Sequence, residues 1–113
     1  MSKEYRKNKR VKPDVKIEIF DVIIGRSLGE VMNISSDGLL MACNKLVEIG
    51  EMYQTDWTFD SRGMKSISVG LECLWSEAQY TSFCLSGFQI IDISEDDQDI
   101  LDRIISRSKE IDE

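Results

Sequence analysis

Apolar and polar residues alternate along most of the chain with the two-residue period of half-buried strands. Val15, Ile17 and Ile19 are separated by Lys16, Glu18 and Phe20, which predicts a first strand over 15–20. A further apolar run, Val22-Ile23-Ile24, stops at Gly25. Strands are then expected over about 29–35 and 38–43. At their junction stand Ser35, Ser36, Asp37 and Gly38, all small or turn-forming. That junction reads either as a tight turn or as a polar rim built to hold something. Beyond Gly50, the stretch Met52 to Phe59 carries Tyr53, Trp57 and Phe59, strong strand formers. Asp60-Ser61-Arg62-Gly63 is a turn, followed by two longer strands over about 65–78 and 80–91. Only a short stretch around Glu77-Ala78-Gln79 separates them, so a hairpin is predicted. Many short strands at this spacing point to an antiparallel barrel or sandwich.

The period then changes. Ile100, Leu101, Ile104, Ile105 and Ile111 recur near 3.6 residues, predicting one amphipathic helix over about 95–109, packed on the sheet. Ser94 lies three residues before Asp97, as an N-cap does, and Arg103, Arg107 and Lys109 load the end that the helix dipole makes negative. The acids from Asp92 to Asp97 do not form a calcium loop. The sixth and twelfth positions hold Asp97 and Arg103 where glycine and glutamate are required. A helix N-terminus explains them better.

Composition narrows the function classes. The 113 residues are one domain's worth, and no stretch approaches the ~18 apolar residues of a membrane span. The charged start, MSKEYRKNKRVK, lacks the apolar core of a secretory signal, so a cytoplasmic protein is expected. Three cysteines without CxxC spacing, and no histidine, argue against a disulfide framework and a zinc site. Buried small hydrophobes in strands is the favoured reading for Cys43, Cys73 and Cys84. Without histidine there is no Ser-His or Cys-His pair, and no phosphate loop of the GxxxxGK[ST] type occurs, so an enzyme is not expected. The net charge of −7 is uneven: residues 1–16 carry seven Lys and Arg against two acids, the rest seven against nineteen. A basic arm on an acidic body marks the arm as the place for an anion. The acidic body, with no aromatics interleaved among the basic residues, disfavours a nucleic-acid polymer as partner.

Two short motifs carry the chemistry. Arg6-Lys7-Asn8-Lys9-Arg10 spaces two arginines four apart, and guanidinium offers planar paired donors that fit phosphate oxygens or the O6/N7 edge of guanine. Asn33 and Ser35, two apart on a strand, are expected to share a face; Asn33 both donates and accepts, and Gly38 permits close backbone approach or positive φ. Alone, the first is a solvated basic tail and the second a plain hairpin turn.

Together, RxxxR followed by [DN]xSxxG, on a small β-rich chain with a final helix, resembles the PilZ domain family, receptors for the bacterial messenger cyclic di-GMP. "ECLWSE" and "CLSGFQIIDIS" look like the family's last two barrel strands, so the resemblance covers essentially the whole chain. It implies a mainly β fold, a six-stranded antiparallel barrel with a C-terminal α-helix and a flexible basic N-terminal arm. The single domain would divide as arm 1–13, barrel 14–92 and helix 94–109. The ligand-contacting positions implied are Arg6, Arg10, Asn33, Ser35 and Gly38. Trp75 sits where some members place a tryptophan beside the ligand, although a strand tryptophan is more often core or sheet surface. Tyr5 stands where members that bind a stacked pair of ligands often carry a third arginine; a tyrosine there suits stacking on a base or a single bound molecule. The implied function is a cyclic di-GMP receptor, with no other cofactor and no metal. It would change surface on binding and signal to a downstream protein, as a monomer or weak dimer. The alternative is a PilZ-like adaptor that works through protein contacts without the nucleotide.

Overall fold

Ile17, Ile19 and Asp21 are buried while Glu18 and Phe20 between them face solvent, and this inward set begins the core. The computed structural model describes residues 9–80 and 83–111. In chain order it forms β1 (Val11–Lys12), β2 (Ile17–Asp21), β3 (Arg26–Ile34), β4 (Gly38–Cys43) and β5 (Met52–Phe59), then β6 (Ile67–Tyr80), β7 (Phe83–Ile93), α1 (Glu95–Arg107) and β8 (Lys109–Glu110). Strands β2 to β7 run in the order β2-β5-β6-β7-β4-β3, every pair antiparallel, and β3 returns to pair with β2. The sheet thus closes into a six-stranded barrel, which leaves no open edge among those strands.

Alternate residues of each strand fill the interior. Ile17, Leu28, Leu39, Met41, Trp57 and Leu71 are fully buried, each worth roughly 1.5–3 kcal/mol of apolar transfer. Trp57 brings its polar edge with it: Nε1 donates to Thr55 Oγ1 at 3.0 Å, and that hydroxyl donates to the Val69 carbonyl at 2.6 Å. Cys43, Cys73 and Cys84 lie on β4, β6 and β7 and are all buried, as read from the sequence. Burial, reinforced by neighbouring Cys84, pushes the Cys43 thiol up to about 12, so it packs rather than reacts.

Both ends of the barrel are closed. Strands β4 and β5 are not neighbours, so their link, residues 44–51, must cross one end, and it buries Val47 there. The other end, beside the 35–38 turn, is covered by α1, which buries Leu101 and Ile104 and reaches the turn through Gln98 Nε2 to the Ser36 carbonyl, 3.5 Å. Ser94 is the N-cap: its hydroxyl accepts from the Asp97 amide at 3.1 Å, and Asp97 Oδ2 accepts from the Ser68 amide at 3.0 Å. Ser94→Ala is expected to destabilise the protein by about 1 kcal/mol. The check is a lower urea midpoint with an unchanged m-value.

Three sequence expectations shift, and one apolar run takes a form that hydropathy does not show. The helix stops at Arg107 rather than 109, because Lys109 and Glu110 extend into β8. The apolar Val22–Ile24 run forms a turn. Asp21 Oδ1 accepts from the Ile23 amide at 2.9 Å, Gly25 N–H closes onto the Asp21 carbonyl, and Gly25 takes φ +73°. The predicted 77–79 separator is strand, since β6 continues to Tyr80 through three register irregularities. The arm was expected to be flexible over 1–13, yet Val11 and Lys12 form β1, paired with both β3 and β8.

Candidate functional site

The two motifs meet. Arg10 immediately precedes β1, and its Nη1 donates to Asn33 Oδ1 at 2.8 Å across 23 residues of sequence. Asn33 faces outward because β3 carries an irregularity between Val31 and Asn33. Val31 and Ile34 are both buried although three apart, so the extra residue, Met32, turns Asn33 to the outer face.

From Asn33 a row of paired residues runs across four strands. Asn33 on β3 pairs with Leu40 on β4, Leu40 with Gly87 on β7, and Gly87 with Trp75 on β6. The chain neighbours Leu39, Ser86 and Phe88 are buried, so this row lies on the outside of the barrel. Gly87 makes a dip in it: a Cβ there would come within 2.2 Å of Trp75 Nε1. The indole therefore lies across the glycine, and Trp75 remains 44% exposed. Arg10, Asn33, Leu39, Leu40, Trp75 and Gly87 together line a cavity of about 190 Å³. A fixed cation, an amide and an aromatic face around one recess suit a planar, polar, anionic ligand. Its size admits one base rather than a whole dinucleotide, so such a ligand would extend along the outer face.

The rest of the second motif shapes the rim. Strand β3 ends at Ile34, so Ser35 belongs to the turn and does not share Asn33's outer face as the spacing predicted. Ser35 is buried; its hydroxyl donates to Asp37 Oδ1 at 2.9 Å, and its amide donates to the Gly38 carbonyl at 2.8 Å. Gly38 is not at positive φ. Its missing side chain admits β7 instead, because a Cβ would stand 2.8 Å from the Phe88 carbonyl oxygen. Tyr5 and Arg6 lie outside the described residues.

A larger recess of about 450 Å³ separates α1 from the loop after β5. It mixes Asp96 and Asp99 with Lys65, Arg103 and Arg107, and gathers none of the motif residues. Gly87 is the residue that sequence reasoning missed, though a glycine inside a strand is itself a sign of close approach.

The family model for the PilZ domain matches residues 4–107. The chain belongs to the PilZ domain family. Solved structures share its fold, among them the following two. One is the Bacillus subtilis inhibitor of motility, MotI/DgrA, with TM-score 0.67 at 15% identity over 91% of this chain. This PilZ domain covers half of that protein's length. The other is the PilZ domain of Escherichia coli YcgR, solved with c-di-GMP, with TM-score 0.66 at 10% identity over 90% of both chains. No curated protein matches the sequence. At such identities the structural likeness establishes the fold.

Proposed function

We propose that this PilZ domain is a cyclic di-GMP receptor without a catalytic step. The observation that carries the proposal is the Arg10–Asn33 contact beside Trp75, which joins the two motifs at one recess. Arg10 would exchange its bond to Asn33 for a bidentate contact with a guanine edge or phosphate, and Asn33 would turn its amide to the ligand. Trp75 offers a face for a guanine to stack on. Ser35 and Gly38 would hold the rim's shape against β7. The roles of Arg6, as a second fork, and of Tyr5, as a stacking ring, are carried by the motif alone.

Occupancy would alter the surface around Arg10 and be read by a downstream protein, with the receptor a cytoplasmic monomer or weak dimer. The family membership and the YcgR domain's ligand support this reading. Among the described residues no helix is long and apolar enough to cross a membrane. A nucleotide-independent adaptor is the second reading. It is favoured by one feature: the Arg10–Asn33 hydrogen bond gives the outer face a defined surface made from the protein's own residues.

Calorimetric titration with cyclic di-GMP, against GTP and cyclic di-AMP, separates them. Saturable heat with cyclic di-GMP alone is expected; no heat with it, from folded protein, supports the adaptor.

A further inference from the structure

The arm residue that reaches the site is held by the other end of the chain. Strand β1 has two residues and pairs with β3 only at Val11 opposite Ile34, too little to persist alone. Its other edge is taken by β8, with Val11 opposite Glu110 and Lys12 opposite Lys109. The Ile111 amide donates to the carbonyl of Arg10 itself at 3.0 Å. Just before β8, Ser108 Oγ accepts from the Asp14 amide at 3.1 Å and donates to the Ile104 carbonyl in α1 at 2.6 Å. Arg107, in the last turn of α1, pairs with Asp14 Oδ2 at 2.7 Å, and Lys9 lies 3.9 Å from Glu110. These contacts flank Arg10 on both sides, and all lead to the C-terminal end of α1.

We propose that Arg107, Ser108 and the Ile111 main chain are positioning residues for Arg10, a strap that sets its backbone so that the guanidinium meets Asn33. None of them needs to touch the ligand. Without the strap, ordering the arm falls to the ligand, and affinity drops by that entropic cost. Linkage then works in reverse as well: a ligand gripping Arg10 steadies the strap and the end of α1, which places the readout of occupancy there. This ligand half rests on the receptor reading above; the positioning half does not.

Two perturbations act on the strap without touching the recess. Ile111→Pro removes the amide that donates to the Arg10 carbonyl. Asp14→Arg and Arg107→Asp each break the ion pair, and the double variant restores it with the charges exchanged. Hydrogen exchange by mass spectrometry on a peptide covering residues 9–14, without ligand, tests the positioning. Ile111→Pro and each single charge variant should exchange faster there while the barrel peptides stay at wild-type rates, and the double variant should recover. In calorimetry with cyclic di-GMP, Ile111→Pro and each single charge variant should bind about tenfold more weakly, with recovery in the double variant. Ligand should also slow exchange in the peptide covering 105–111 of the wild type. Unchanged exchange over 9–14 in Ile111→Pro would overturn the strap. So would a double variant no better than the singles in both measurements. Absence of wild-type binding would remove the receptor reading alone, and the exchange data would still decide the strap.

Discussion

Arg10→Ala is expected to weaken cyclic di-GMP binding by about tenfold to a hundredfold, while the melting temperature stays close to wild type. A charge-assisted hydrogen bond is worth roughly 1.5–3 kcal/mol net, and each 1.4 kcal/mol is a factor of about ten. Stability should hold because Arg10 is only partly buried and precedes a two-residue strand outside the closed barrel. Its guanidinium bonds to Asn33, which faces the surface and can turn to water. Arg10→Lys sharpens the test. It keeps the charge and loses the planar fork, so most of the affinity should stay lost. Calorimetry on the three proteins measures this; wild-type affinity in Arg10→Ala would count heavily against the site.

The second large effect belongs to a residue without a side chain. Gly87→Ala places a methyl 2.2 Å from Trp75 Nε1, 2.7 Å from Cε2 and 2.8 Å from Cδ1. Contacts under 3 Å are repulsive, and the backbone of β7 is fixed by strands on both sides. The indole, 44% exposed, is the part that can give way. It would swing off the row and deform the recess that it lines with Arg10 and Asn33. Binding should fall at least tenfold, a loss of about 1.4 kcal/mol or more. The barrel should remain folded, since Trp75 contributes little to the core. Circular dichroism and calorimetry together check both halves. Full affinity in Gly87→Ala would show that the indole's placement does not matter.

Much of this was legible from residue order because strand and helix periods differ. The alternations through Ile17 and Ile19, and through Leu39, Met41 and Cys43, are inward and outward faces of single strands. The Ser94 cap and the Leu101–Ile104 stripe are local to one helix. What escaped is either very short or non-local. Two-residue strands such as β1 and β8 have no period to detect. The irregularity at Met32, which turns Asn33 outward, is fixed by pairing with β4 rather than by its neighbours. The Val22–Ile24 run looks like strand by composition. Its backbone is bent by the Asp21 carboxylate and by Gly25, chemistry that hydropathy does not register. Barrel closure through β2 with β3 and β5 joins segments up to about forty residues apart in sequence, beyond any local pattern. The motifs named the chemistry of the site; the row from Asn33 to Trp75 came from strand pairing.

A nitrogen-15 NMR titration reads the central claim through the protein's two tryptophans. Trp57 Nε1 is buried and donates to Thr55, so its indole signal is an internal reference. Trp75 lies in the recess with Arg10 and Asn33. With cyclic di-GMP the Trp75 indole signal should move to saturation while the Trp57 signal stays in place. Saturating ligand that leaves Trp75 unmoved would contradict the account.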